Sequence, residues 1–82
     1  MSDELKNHIR SLSLEQLKTR LGYTKEHLDH ENKALNRMEQ KAEEYLSYGW
    51  GRSYPVEYLP TVRRVCELQD EINFINAEIA LR

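Results

Sequence analysis

The chain has little of several residue types on which other folds depend. Its 82 residues include one cysteine, two prolines and three glycines. A single cysteine, Cys66, excludes an intramolecular disulfide and a zinc site built from cysteines, and it fits a reducing compartment. Glycine and proline are too scarce, and alternating β-branched residues too rare, for a protein made of strands and turns. The sequence therefore predicts an all-α protein.

An excess of one charge and a long apolar run are also missing. The 12 basic and 14 acidic residues give a net charge of −2, whereas binding to nucleic acid by bulk electrostatics needs a basic surface. No apolar run approaches the roughly 20 residues of a membrane-spanning helix, and the first residues do not resemble a signal peptide. We expect a cytoplasmic protein with no membrane partner, for which nucleic acid is a possible but disfavoured partner.

Two apolar stripes with helical spacing run through the chain. They predict two long helices, over about 25–47 and 60–81, which pack as an antiparallel hairpin because the connector over 47–59 is short. A chain of this length forms one small domain over 1–82 and rarely buries a deep core alone, so a homo-oligomer is expected. The residues assigned to the core and to pairing of copies are Leu28, Leu35, Met38, Val65, Leu68, Ile72, Ile75 and Ile79. Cys66 lies within the second stripe and is expected to be a buried, inert thiol.

The N-terminal part, residues 1–23, predicts one or two short helices. The first is expected over roughly 3–11, and Ser13 then has the spacing of a capping box. Gly22 is expected to end the second short helix, because glycine adopts the left-handed conformation that closes a helix without strain. Thr24 would then cap the long helix of the hairpin, 24–82. The sequence leaves open whether the chain breaks or only bends at this glycine.

The chain around Gly22 also follows the spacing of a known motif. A short helix ends in Leu-Gly, an aromatic residue and a threonine cap follow, and an apolar residue stands four positions after the cap. The positions concerned are Leu17, Leu21, Gly22, Tyr23, Thr24 and Leu28. This pattern, within residues 14–33, resembles the helix-turn-helix of DNA-binding transcriptional regulators. The resemblance implies that Lys25, His27, His30 and Lys33 face the DNA groove.

The connector is rich in aromatic residues and arginine. Tyr, Trp and Arg dominate binding hot spots, because they offer a large contact area and several donors at a modest entropy cost. The residues concerned are Tyr48, Trp50, Arg52, Tyr54 and Tyr58, followed by Arg63 and Arg64. We expect them to form the surface that contacts a larger protein. The same side chains could instead pack as a plug across the end of the hairpin, and both interpretations stay open.

Other chemistries have less support. Arg52, Arg63 and Arg64 beside an aromatic ring could hold a small anionic ligand or a nucleotide, although a glycine-rich phosphate loop is absent. His27 and Glu31 share a helix face but lack the His-Glu-x-x-His metal signature. No nucleophile or general base stands in a recognisable catalytic setting. We therefore expect no metal, no cofactor and no enzyme activity.

These observations favour a small protein that binds another protein. An adaptor, or an inhibitor that docks on a larger enzyme, is the preferred function, and in size and class the chain is similar to many small phage and bacterial regulators. A DNA-binding regulator is the alternative. It ranks second because acidic side chains within residues 14–33 would repel phosphate. A binder of a small anionic ligand is the third hypothesis.

Overall fold

Three helices make up most of the protein, whose computed structural model describes residues 1–49, 51 and 53–82. Helix α1 spans Asp3–Ser11, α2 spans Leu14–Ser47 and α3 spans Tyr58–Ala80. The described residues contain no strand, so the predicted all-α fold is confirmed. Trp50 and Arg52, which the sequence assigns to the contact surface, lie outside the described residues.

The first two helices begin where local sequence favours a helix start. The hydroxyl of Ser2 accepts a hydrogen bond from the Leu5 N–H at 3.2 Å. The Ser13 hydroxyl accepts from the Gln16 N–H at 3.2 Å, and the Gln16 side chain accepts from the Ser13 N–H at 2.9 Å. These bonds satisfy backbone donors that the first turn of a helix leaves unpaired. The predicted capping box is therefore present.

The predicted break at Gly22 is wrong. Helix α2 runs without interruption from Leu14 to Ser47 and includes this glycine. Positive φ angles occur, among the described residues, only at Gly49 and Gly51 in the connector. A glycine inside a helix costs about 1 kcal/mol relative to alanine. Packing of α2 against α3 on both sides of Gly22 outweighs that cost, so the helix continues.

Thr24 does not cap a helix either, and its actual contacts explain why the helix continues. Its hydroxyl donates to the backbone carbonyl of Arg20, one turn earlier, and lies 2.8 Å from Glu71 Oε2 on α3. Arg20 bonds the other oxygen of the same carboxylate at 2.7 Å. Residues on either side of Gly22 thus hold one carboxylate of α3. Two separate helices, as in a helix-turn-helix, are not formed here.

Helices α2 and α3 pack antiparallel along one seam, which confirms the predicted hairpin. Thr24 contacts Glu71 and Glu31 contacts Arg64, so a step of seven residues along α2 matches a step of seven back along α3. The hydroxyl of Tyr58, the first residue of α3, lies opposite position 39 of α2. The last residues of α2 therefore extend beyond the start of α3.

The apolar core lies at the open end of the hairpin, where the chain begins and ends. Ile9 of α1, Leu17 of α2 and Ile75 of α3 are fully buried there and pack together. The half-buried residues around them are Leu5, Leu12, Leu21, Phe74 and Ile79. Three helices meet only at this end, and this gives the rod-shaped molecule its one fully enclosed cluster among the described residues.

The predicted core residues are buried to different degrees. Ile72 and Ile75 are buried. The others are half-buried along the seam, and they are Leu28, Leu35, Met38, Val65, Leu68 and Ile79. Cys66 is exposed, contrary to expectation. It follows Val65, which faces the seam, and consecutive helix residues point about 100° apart, so the cysteine lies beside the stripe and outside the packed face.

The molecule is elongated. It measures 54 × 21 × 15 Å, and its radius of gyration is 16.7 Å, whereas a compact domain of this length would have about 12 Å. Two helices side by side bury only the faces that they turn to each other, so much apolar area stays in contact with solvent. No helix among the described residues is both long and apolar enough to cross a membrane.

Candidate functional site

The closed end of the hairpin, residues 43–59, exposes an unusual share of large apolar side chains. Nine such residues are exposed among those described, and five of them lie here. They are Leu46, Tyr48, Tyr54, Val56 and Leu59. Val56 is 83% exposed and Leu59 is 69% exposed. Because α2 extends beyond the start of α3, the last residues of α2 have no part of α3 beside them.

Two glycines make the reversal of the chain possible at this end. Gly49 has a φ of 79° and Gly51 a φ of 76°, a left-handed conformation that side chains with a β-carbon rarely adopt. Nothing lies within 4 Å of an added β-carbon at either position, so backbone conformation and not crowding requires glycine. The connector can therefore leave α2 sharply and return along it.

A pair of tyrosines connects the connector to the hairpin. The ring centroids of Tyr54 and Tyr58 are 4.3 Å apart, and the ring planes are tilted by 34°. The Tyr58 hydroxyl donates to Glu39 Oε1 on α2 at 3.4 Å. Desolvation and the neighbouring Glu39 carboxylate raise the pKa of Tyr58 above its ordinary value of 10.0, because both disfavour the phenolate. The Tyr58 phenol therefore stays protonated, and able to donate to Glu39, up to a higher pH than an ordinary tyrosine.

A groove of about 460 Å³ lies between α2 and the returning connector. The α2 side supplies Arg37, Lys41 and Tyr45, and the connector supplies Ser53 and Tyr54. Both charged residues of the lining are cations. The groove thus combines positive charge with aromatic rings, and of the predicted contact residues Tyr54 lies in this lining.

The structure distributes the other predicted contact residues over different surfaces. Tyr48 is exposed at the closed end and Tyr58 is half-buried. Arg63 is exposed on α3, whereas the Arg64 guanidinium turns to the seam and lies 3.2 Å from Glu31 Oε2. Adjacent helix residues do not face the same way. Arg63 and Arg64 therefore face different surroundings, and Arg52, the third arginine of the predicted anion site, lies outside the described residues.

The sequence interpretation missed a polar cluster in the middle of the seam. Glu31 is 9% exposed, and its carboxylate lies 3.4 Å from His27 Nε2 and 3.2 Å from Arg64 Nε. Arg64 also donates to the hydroxyl of buried Thr61 at 3.2 Å. The spacing in the sequence could have indicated it. Leu17, Thr24, Glu31 and Met38 are seven residues apart and share one helix face, and the two middle positions are polar.

The residues proposed to face DNA all lie on one unbroken helix. Lys25 and His30 are exposed, His27 approaches Glu31, and Lys33 pairs with Asp29 at 3.1 Å. A recognition helix needs a separate axis to enter a groove while the preceding helix crosses the backbone. The continuous α2 provides no such second axis. Within the described part of the chain, no three His, Cys, Asp or Glu side chains are grouped to hold a metal ion.

Comparison with known proteins adds no relative. The chain matches no family model, no curated protein and no solved structure. Its function is therefore argued from its own residues. Among the surfaces described, the closed end differs most from an ordinary solvated helix face.

Proposed function

We propose that this chain is a small non-enzymatic protein that binds a larger protein partner through the closed end of its hairpin, as an adaptor or an inhibitor. The concentration of exposed large apolar side chains at this end is the observation that carries the proposal. Apolar residues scattered singly over a surface need no explanation, but their concentration at one end of a molecule is typical of an interaction site.

The exposed cluster is not needed to hold the fold together. The buried apolar cluster of Ile9, Leu17 and Ile75 lies at the opposite end of the molecule, and the one fully buried apolar residue described toward the closed end is the small Ala42. Val56 and Leu59 have most of their surface in solvent, so they contribute little to folding. Their apolar area gains free energy only when another surface covers it.

Charged residues border the cluster on two sides of α2. Arg37 and Lys41 line the groove beside the connector, whereas Glu39, Glu43 and Glu44 line a separate hollow. An apolar, aromatic centre surrounded by charged residues is the usual composition of a protein–protein interface. The charges would orient the partner, and the apolar side chains would supply most of the binding free energy.

The predicted homo-oligomer also remains a proposal. The eight residues assigned to it lie along the seam, where α2 and α3 already cover them in part. Pairing of copies would have to use the apolar area that the seam leaves exposed. Light scattering over a range of protein concentrations measures directly whether copies of the chain pair.

A matched pair of serine variants tests the proposed contact surface. Leu59→Ser removes an apolar side chain at the closed end, and Leu81→Ser removes one that is 80% exposed at the other end. A pulldown from lysate of the host organism, followed by mass spectrometry, identifies the captured protein. We expect Leu59→Ser to weaken capture of that protein by about ten-fold or more, and Leu81→Ser to leave it unchanged.

Thermal denaturation of both variants provides the control for folding. Each replaced side chain is mostly exposed, so the free energy of unfolding should change by no more than about 0.5 kcal/mol. Equal capture by the two variants contradicts the proposal. A large loss of stability in Leu59→Ser alone would instead assign the closed end a structural role.

A further inference from the structure

The groove beside the connector differs in charge from the other hollows of the surface. The groove contains Arg37 and Lys41 and no acidic residue. A larger hollow of about 760 Å³ beside α1 contains Arg20, but this arginine already bonds the Glu71 carboxylate at 2.7 Å. Two further hollows are lined by glutamates. Among these four hollows of the described residues, the groove at the connector is the one whose lining has positive charge and no acidic residue.

The two cations of the groove have no acidic partner among the described residues, unlike several others. Arg20 pairs with Glu71, and Arg64 pairs with Glu31. No such pair involves Arg37 or Lys41. They stand four residues apart on one helix, so their side chains lie on the same side and can reach one anion together.

The rest of the lining is suited to a planar group. Tyr45 and Tyr54 line the groove, and the Tyr54 ring is supported by Tyr58 at a centroid distance of 4.3 Å. The hydroxyl of Ser53 adds a group that can donate or accept a hydrogen bond. Rings that are held in place present a stacking surface at little entropy cost.

The size of the groove argues against a bare inorganic anion as its ligand. The lining reaches from Ala34 to Tyr45 on α2, which is about 16 Å along a helix. A volume of about 460 Å³ falls within the roughly 300–1,000 Å³ of sites for small organic ligands. An inorganic phosphate would occupy the cations and leave the tyrosines unused.

We propose that this groove binds a nucleoside monophosphate, with the phosphate on Arg37 and Lys41 and the base against the tyrosine rings. Guanidinium and ammonium groups bind phosphate through charge-assisted hydrogen bonds, and a tyrosine ring stacks on any base. The groove shares Tyr54 with the surface proposed for partner binding, but the two proposals can be tested apart, since neither Val56 nor Leu59 lines the groove.

Titration calorimetry on the full chain tests the proposal with three probes: AMP, adenosine and inorganic phosphate. We expect AMP to bind at least about ten-fold more tightly than either of the others, because only AMP uses both halves of the groove. Absence of binding at millimolar AMP overturns the proposal. Equal affinity for AMP and inorganic phosphate overturns it as well, since the rings would then contribute nothing.

Charge-removing variants locate the phosphate. Arg37→Gln and Lys41→Gln should each weaken AMP binding by about ten-fold or more, as expected for loss of a hydrogen bond to a charged group. Lys33→Gln is the matched control, because it removes an exposed cation of the same helix that pairs with Asp29. Unchanged affinity in both groove variants, or equal weakening in the control, overturns the assignment.

Ring variants locate the base. Tyr54→Phe keeps the ring and should retain AMP binding, whereas Tyr54→Ala removes it and should lower the affinity toward that of inorganic phosphate. Circular dichroism of each variant confirms that the helices are intact. Failure of AMP to bind leaves the partner-binding proposal standing, because that proposal is tested by capture with Leu59→Ser.

Discussion

The two ends of the hairpin place similar apolar side chains in opposite environments. At the open end, Leu17 and Ile75 are fully buried. At the closed end, Val56 and Leu59 remain mostly exposed. Two helices can bury only the faces that they turn to each other, and a third element is needed to enclose a residue on all sides. At the open end that element is the helix α1, whereas the fully buried side chains described toward the closed end are the small Ala42 and Thr61.

Several contacts hold α1 in place at the open end. Arg10 lies 3.4 Å from Glu78 and 5.2 Å from the centre of the Phe74 ring. The Arg82 guanidinium donates to the backbone carbonyls of Leu12 and Arg10. These contacts connect α1 to the last turn of α3, so both termini contribute to the core. At the closed end the described residues form no third helix, and the connector alone returns along α2.

The largest predicted effect compares two leucines on α2. Leu17→Ala at the open end should lower the free energy of unfolding by about 3–4 kcal/mol, because it empties a fully enclosed site. Leu35→Ala, at a half-buried position of the seam, should cost only about 1–2 kcal/mol. Chemical denaturation of both variants measures the difference. Equal losses would show that the core is spread evenly along the hairpin.

A smaller effect is predicted for the polar cluster between the two ends. Arg64→Ala leaves the nearly buried Glu31 carboxylate without its partner on α3 and should cost about 1–2 kcal/mol. The value stays below that of a fully buried pair, because Arg64 is half exposed. Lys33→Ala, which removes an exposed pair with Asp29, should cost less than about 0.5 kcal/mol. Thermal denaturation at matched ionic strength compares them, and equal costs would contradict a stabilising role for the Glu31 pair.

The smallest predicted effect concerns the helix that joins the two ends. Gly22→Ala should increase stability by about 0.5–1 kcal/mol, because the position is helical and nothing lies within 4 Å of an added β-carbon. If Gly22 closed a helix in the left-handed conformation, the same substitution would lower the stability. A decrease in the denaturation midpoint of Gly22→Ala would therefore support the alternative in which the helix breaks at Gly22 and a separate recognition helix follows.

Local residue patterns were enough to predict much of the fold. The apolar stripes predicted the antiparallel pairing of α2 and α3, and Ser13 predicted the start of α2. Gly22 was misread because its neighbours permit a helix end just as well as a helix interior. The choice depended on Thr24 and Arg20 both reaching Glu71, a residue about 50 positions away, and no local pattern contains that information.

The candidate site was predicted less completely. Tyr48 and Tyr54 were recognised from composition, and the structure exposes both at the closed end. Arg37 and Lys41 were overlooked, because they look like ordinary solvated residues of an amphipathic helix. They acquire significance only where the connector returns along α2 and places Ser53 and Tyr54 beside them.

Periodic apolar spacing and capping residues were sufficient to specify helices and their pairing, because both act within a few residues along the chain. Tertiary packing alone decided that α2 is continuous, that Glu31 is buried beside Arg64, and that a third helix covers one end of the hairpin while large apolar side chains stay exposed at the other. Each of these outcomes depends on contacts between residues far apart in sequence. Those contacts stabilise the protein only after the helices have packed together.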